Sequence, residues 1–491
     1  YWMQQSQRAE ENHALEYAVE LANHLDRPMV VVFGLTNGYP EANLRHYRFM
    51  LEGLRETAAT LAKRGIQMAL QLGSPPDVAL KAGQKAAVIV CDCGYLRFQK
   101  AWRQSVARKA ACRVVQVEAD VVVPVDVTSS KAEYAARTLR PKITRHLNEY
   151  LKEFHVIPLK NRSQGLDIKN LTSNLNLEAI DALQSRLDVD RSVEPVNLFF
   201  KGGTREAKKR LKKFLNQSLK HYPDHHNQPQ TDDISHMSPY LHFGQISPLY
   251  LALQVKATDG RSVGLGAIEA YLEQLIVRRE LAVNFVNFTP NYDTYDCIPG
   301  WASQTLSDHL SDERPICYSR TQLENAETHD PYWNAAMLEM KHTGFMHNYM
   351  RMYWGKKILE WSRTPQQAFD TTLALNNKYF LDGRDPNSYT GVAWIYGVHD
   401  RPWPERPIFG TVRFMSYDST SRKFDSRAYI RRIDEIERGS GRDMLFCSFG
   451  RVSRQGRVED DVRCDPQGAF VAVALAVEAL LALQGAADVV S

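Results

Sequence analysis

The 491-residue chain is poor in the features that mark several protein classes. Its seven cysteines are scattered at 91, 93, 112, 297, 317, 447 and 464. Cys91 and Cys93 lack a second pair at ligand spacing, so no metal site is expected. An odd, dispersed set also argues against a disulfide framework and fits a reducing compartment. Long apolar runs are missing: the longest, 469–483, contains Glu478 and falls short of the ~20 residues that span a bilayer. Segment 1–11 is polar, so no secretory leader is read there. The chain opens on Tyr1 rather than Met, and a truncated N terminus is expected. No Gly-x-Gly-x-x-Gly follows a strand pattern, which removes that dinucleotide fingerprint. There is no internal repeat. Charge of one sign is lacking too: 61 Lys and Arg face 57 Asp and Glu, a net +4. That permits a polyanionic partner without requiring one. With 44% apolar and 24% charged residues, the chain is globular rather than disordered, collagen-like or membrane-spanning.

What is present begins with alternation. Apolar runs at 28–33, 86–91, 114–118 and 121–124 read as strands, and Tyr1-Trp2-Met3 as the end of an earlier one. Helical patterns at 9–25, 41–64, 76–85 and 96–111 lie between them. Strands separated by crossover helices imply a Rossmann-like α/β domain with a parallel sheet over 1–125. Residues 126–200 read as a connector, with a helix near 132–154 and a weakly periodic stretch from Leu159 to Asn197. From 201 to 433 the pattern is an all-α domain, with helices at 264–287, 302–311, 320–326, 331–342, 344–362, 365–374 and 389–396. Residues 434–491 form an extension of unassigned role, with an apolar helical segment at 469–483. Thr204 to Lys220 is basic, and a solvated helix face is favoured there over nucleic-acid guidance.

Six of the eight tryptophans fall between 301 and 403. Trp354 and Trp361 are seven apart on one helical pattern, which puts them on one face about 10 Å apart along the axis. Trp333 belongs to the preceding helix. Indoles at such steps can relay an electron, and the competing reading is three core aromatics. Arg351 and Asp382 lie in the same region; an Arg beside a carboxylate can hold an anionic ring or form a plain salt bridge. Near Pro239 a helix begins after Ser235 and Ser238, an arrangement that suits phosphate or serves as an ordinary cap.

These residues together resemble the DNA photolyase/cryptochrome family. Ser238-Pro-Tyr-Leu-His-Phe-Gly-Gln-Ile-Ser247 is similar to its flavin-phosphate segment, and His347-Asn-Tyr-Met-Arg-Met352 to its flavin-ring segment. Val277-Arg-Arg-Glu-Leu-Ala282, Thr328-His-Asp-Pro-Tyr-Trp333, Leu381-Asp-Gly-Arg-Asp-Pro-Asn387 and Gly397-Val-His-Asp-Arg401 resemble the class II cyclobutane pyrimidine dimer photolyases. The resemblance covers about 1–433. It implies an antenna domain followed by a helical FAD-binding domain, and light-driven repair by an electron from excited FADH⁻ to a dimer flipped out of DNA. It implies a photoreduction relay of Trp354, Trp333 and Trp361, with Trp354 nearest the flavin. Arg351 and Asp382 would flank the ring, with Asn348 in the same segment. Asn376 would stand at the flavin's reactive nitrogen, ahead of Asn387. Tyr222, Ser235, His236, Met237 and Ser238 would contact phosphate or ribose. Glu273, Met352 and Trp394 would line the lesion pocket, and Arg401 would neutralise DNA phosphate. Val277 replaces a Trp that some class II members carry four residues after the pocket glutamate, leaving Trp394 as the stacking indole. The antenna chromophore stays open: a deazaflavin, a folate, or none in the first domain. A monomer is expected, cytoplasmic with chromosomal DNA, or nuclear in a eukaryote. Two other readings remain: a cryptochrome-type blue-light receptor, and a flavin-free helical protein that binds nucleic acid.

Overall fold

A five-stranded sheet forms the N-terminal region in the computed structural model, which describes residues 1–173 and 175–446. Its strands are Trp2–Met3 (β1), Val30–Leu35 (β2), Gln67–Leu72 (β3), Val88–Asp92 (β4) and Arg113–Val117 (β5). All pairings are parallel in the order β3-β2-β1-β4-β5. Side chains alternate across the sheet. Met3, Val31, Phe33, Leu70 and Val90 meet the helices His13–His24 and Leu44–Lys63. Trp2, Ile89 and Cys91 meet Ala79 and Val106 on the other face. The sheet is therefore doubly wound, with its switch point between β1 and β4, where such folds leave a crevice at the strand C-termini.

Two strand expectations change. β3 escapes the sequence pattern because Gln67-Met-Ala-Leu-Gln-Leu72 is an edge strand, partly exposed and interrupted by glutamines. Residues 121–123 form bends instead of a strand, and Val125–Thr128 is a short helix. The Val122 and Val123 amides donate to the Glu280 carboxylate at 2.6 and 3.4 Å, so they are not available to a ladder.

The helix expected near 132–154 is Ala136–Tyr150. The stretch after it is tied to the sheet domain. Ser163 N–H donates to Gly65 O, Ser173 N–H to Leu70 O, and the amide of Leu44 to Asp190 O. The pattern read as one helix at 264–287 is Leu265–Leu272, a π-helical turn at Glu273–Arg278, and Arg279–Phe288. Such turns gather at functional sites. The last described helix is Ser426–Phe446; the apolar segment 469–483 lies outside the described residues.

The helical region is anchored to the sheet domain at one tight turn. Gly244 has φ +61°, and a Cβ there would come within 1.9 Å of the Gln5 carbonyl. Arg8 Nη1 donates to the Gly244 carbonyl at 3.0 Å and to Asp120 Oδ1 at 2.6 Å. The Ser238–Ser247 run is thereby fixed to the loop that leaves β1.

Candidate active site

Helix Pro331–Thr343 begins where Asp330 accepts the amides of Tyr332 and Trp333 at 2.9 and 3.1 Å, with Pro331 in the first turn. It ends at Gly344, whose φ of +73° is the left-handed cap that favours glycine. The following helix, Asn348–Trp361, is buried nearly all round. The Tyr353 hydroxyl donates to Asp330 and joins the two helices. This registers their indoles. Trp333 and Trp354 stack at 6.3 Å between centroids and 13° between planes. Trp333 and Trp361 meet edge-on at 5.6 Å and 66°. Trp333 Nε1 also donates to the Trp354 carbonyl at 2.9 Å. The three rings thus form a file with Trp333 in the middle, all of it buried. At its outer end Tyr318 and the exposed His329 contact Trp361 at 5.4 and 5.3 Å. At its inner end Phe380 contacts Trp354 at 6.4 Å. The Arg351 guanidinium lies 3.8 Å over the Phe380 ring.

Arg351 opens onto a cavity of about 470 Å³, within the size range of small-molecule and cofactor sites. Tyr222, Ser235, His236, Met237, Ser238, Asn348, Arg351, Asp382 and Trp394 all line it. Residues not singled out from the sequence join them, among them Tyr271, Phe345, His347, Ser388 and His399. Arg351 Nη2 donates to both oxygens of Asp382 at 3.0 Å. His236 adopts φ +53° and bonds the Asp232 carboxylate through Nε2 at 3.0 Å. A carboxylate only accepts, so Nε2 carries the hydrogen. Arg432, from the last helix, spans Asp232 at 3.1 Å and Glu339 at 2.7 Å. Burial opposes ionisation of Asp232, but the bonded His236 and nearby Arg432 bring its pKa down to about 2. His347 caps its helix by accepting the Tyr349 amide at 3.3 Å. Burial, then Arg432, pushes its pKa down to about 3, so it is neutral.

The structure does not bring every expected residue to the cavity wall. Glu273 starts the π-helical turn, and its carboxylate accepts from Arg140 at 2.7 and 3.0 Å and lies 3.3 Å from Arg278. Its neighbours Gln274 and Leu275 line the cavity instead. Met352 packs against the core around the indoles. Exposed Arg401 lies 5.5 Å over the Trp403 ring. Asn376 is buried one layer behind the wall, bonded to Ser388, while the exposed Asn387 reaches the wall itself.

The donor set suits a dinucleotide with an anionic phosphate bridge and a flat polar ring. Arg278, Arg279 and Arg351 line the cavity. His236 Nδ1 and His399 Nε2 are buried there with no protein partner, which is costly unless a ligand or water bonds them. A second cavity of about 60 Å³ lies at the C-terminal ends of β1 and β2. Gln5, Thr36, Tyr47, Gln99 and Trp102 line it from the sheet domain, and His242 and Arg384 from the helical region. Among the described residues, no group of metal-ligating side chains is assembled. No described helix is long and apolar enough to cross a membrane.

Residues 1–160 match the family described as DNA photolyase. The chain is 48% identical over 434 residues to a deoxyribodipyrimidine photo-lyase of Methanothermobacter thermautotrophicus, covering 88% of this chain and 94% of that one. It is 40% identical to the enzymes of the same name from Oryza sativa subsp. japonica and Potorous tridactylus, over 89% of this chain and 87% and 81% of theirs. Among solved structures, a class III photolyase from Agrobacterium tumefaciens superposes with a TM-score of 0.69 at 17% identity, covering 88% of this chain and 85% of that one. A Synechocystis cryptochrome gives 0.66 at 15%, covering 87% and 86%. These two share the fold of a parallel sheet followed by a helical region. With relatives at 40–48% identity over most of its length, the chain belongs to the DNA photolyase family.

Proposed function

We propose that this chain is a class II photolyase that holds FAD in the 470 Å³ cavity and splits cyclobutane pyrimidine dimers in DNA. The observation that carries this reading is the meeting of two features. A buried file of three indoles ends, through Phe380, at the Arg351–Asp382 pair on the cavity wall. A structural core has no need of that alignment beside a cavity with unpaired buried ring nitrogens.

The chemistry that bound FAD supplies is a light-driven donation of one electron from FADH⁻ to the dimer, returned once the cyclobutane carbon–carbon bonds have broken. The protein provides binding, orientation and electrostatics. Ser235, His236, Met237, Ser238 and Tyr222 would hold the phosphate and ribose side. Arg351 would place positive charge against the ring and favour its anionic reduced form, while Asp382 fixes the guanidinium. Trp354, Trp333 and Trp361 would carry electrons inward from the Tyr318 end when the cofactor has become oxidised. Trp394 would stack on a base flipped out of the duplex, whose unstacking costs a few kcal/mol, less at a damaged pair. Arg278 and Arg279 add positive charge to the same cavity, and Arg401 supplies a cation at the surface. Glu273 would act on the lesion from a carboxylate that Arg140 and Arg278 already engage.

An antenna chromophore, a deazaflavin or a folate, would enter the sheet-domain crevice only if that space, about 60 Å³ as it stands, widens toward the size of a cofactor site. The protein would act as a monomer at chromosomal DNA, in the cytoplasm or, in a eukaryote, the nucleus. The relatives carry the photo-lyase name at 40–48% identity, which supports repair over cryptochrome-type signalling and over a flavin-free role. The test is the Trp354→Phe variant. It should lose photoreduction of oxidised flavin yet repair dimers after chemical reduction; loss of both would remove the relay assignment.

A further inference from the structure

Asp330 is buried, at 3% exposure, beside the indole file. Its Oδ1 accepts the Tyr332 and Trp333 amides at 2.9 and 3.1 Å, and its Oδ2 accepts the Tyr353 hydroxyl. Three donors converge on it and none is a cation, a bonding pattern that suits an ionised carboxylate. Burial, then the Asp330 charge, raises the Tyr353 hydroxyl far above the ordinary phenol range, so Tyr353 keeps its proton and donates. At the ends of the file, Arg351 and Lys357 each have an acid partner. Arg351 meets Asp382 at 3.0 Å, and Lys357, 5.7 Å from the Trp361 ring, meets Glu360 at 2.7 Å. Among the described residues, no Lys, Arg or His nitrogen lies within 4.0 Å of the Asp330 carboxylate.

Capping does not call for this charge. Asn caps a helix as well as Asp does, and a buried ion without a counter-ion costs more than a neutral amide. What distinguishes Asp330 is where its charge sits. The Trp333 ring begins three covalent bonds from the amide that Asp330 binds, so its nearest ring carbon is within about 7 Å of Oδ1. The opposite edge of that ring, Nε1, donates to the Trp354 carbonyl at 2.9 Å. Trp333 is thus held with its backbone end at the carboxylate and its far edge at Trp354.

We infer that Asp330 is a positioning residue for charge in the relay: once Trp354 has lost an electron to the light-excited oxidised flavin, the Asp330 carboxylate draws the positive charge outward onto Trp333. This rests on the relay proposed above. The step moves one electron and no proton. Trp333 is oxidised to its radical cation as Trp354 is restored, and an external thiol supplies the replacing electron through Trp361. At an effective dielectric of about 20, a unit negative charge about 7 Å away favours a positive ring roughly fiftyfold, and about 13 Å away, one indole step farther, roughly tenfold. The outward bias is the ratio, about fivefold.

The experiment follows tryptophan radical cations by transient absorption after a blue flash, in FAD-loaded wild type, Asp330→Asn and Tyr353→Phe, with thermal unfolding of each. Asp330→Asn keeps an oxygen for the two amides and turns its NH₂ group toward the Tyr353 oxygen, so the cap survives and the charge is lost. Its radical cation should recombine about fivefold faster than in wild type, with a matching fall in the yield trapped by thiol. Tyr353→Phe leaves the carboxylate with one donor fewer and its charge less dispersed, so its radical cation should last at least as long as in wild type, although the fold is weaker. A wild-type lifetime in Asp330→Asn would overturn the inference. So would a Tyr353→Phe radical that decays about fivefold faster, because the hydroxyl rather than the charge would then carry the effect. That arm decides the matter if Asp330→Asn does not fold. Wild-type protein that binds FAD yet forms no tryptophan radical would remove the relay itself, and the inference with it.

Discussion

Replacing Trp333 by Phe separates a relay from a core more sharply than any other change. Trp333 is fully buried between Trp354 and Trp361, at 6.3 and 5.6 Å from them. As a core residue its loss has a definite size. Phenyl for indole vacates about three ring positions, worth about 2–3 kcal/mol of transfer and cavity energy. The lost Nε1 bond to the Trp354 carbonyl brings the cost to about 3–4 kcal/mol. As a relay residue its loss has a different signature. Phe resists oxidation, so an electron must pass directly between Trp354 and Trp361, seven residues apart or about 10 Å along one helix axis. Urea denaturation measures the first effect. Photoreduction of bound oxidised flavin under blue light with an external thiol measures the second. The expected variant is folded, weakened by that amount, and blocked in photoreduction while repairing normally after chemical reduction. A folded variant that photoreduces at the wild-type rate would refute the relay.

Three other outcomes follow from the geometry. Burial raises the Glu280 carboxyl from 4.5 to about 8, against the opposing bonds from Val122 and Val123. Its folded pKa is the higher one, so the associated stability is complete below about pH 4.5 and is lost as pH rises through 8, at up to about 1.4 kcal/mol per pH unit. Denaturation across that window should show wild type weakening relative to Glu280→Gln; parallel curves would contradict it. Gly244→Ala forces a side chain into a left-handed backbone and against the Gln5 carbonyl, and should lower stability by about 3 kcal/mol in thermal unfolding. Asp382→Asn leaves Arg351 with a neutral partner. It should cost about 2 kcal/mol of stability and weaken FAD retention in an equilibrium dialysis assay, whereas unchanged retention would detach the pair from the ring.

Legibility in the sequence followed the range of the interactions. The indole file could be read because helical spacing is local: Trp354 and Trp361 share one helix, and Asp330-Pro331 announces the start of the helix that carries Trp333. The start of the helix at Ser238 was legible for the same reason through Pro239, although its cap position is Met237, which makes no side-chain cap bond. Other features depend on pairings that sequence distance conceals. Nothing around 121–124 announces that Glu280 takes its amides. β3 hides because an edge strand needs only one apolar face. The Glu273 carboxylate reads as free until Arg140, 133 residues earlier, is placed beside it. The Glu41–Asn377 bond joins two regions of the fold and could not be inferred from either alone. Clustering of Trp between 301 and 403 divides by location once the fold is known. Trp333, Trp354 and Trp361 form the file, Trp394 faces the cavity, Trp301 packs on the core, and Trp403 lies under Arg401 and Arg413.

The proposed function requires that this cavity, loaded with reduced FAD, reverse dimers with light. The direct measurement is restoration of thymines in an ultraviolet-irradiated oligonucleotide, with purified protein carrying FADH⁻, in paired illuminated and dark samples. Intact thymines should reappear only under illumination, and (6-4) photoproducts in the same strand should persist. Protein that binds FAD yet restores no thymine in the light, or that acts only on (6-4) photoproducts, would contradict it.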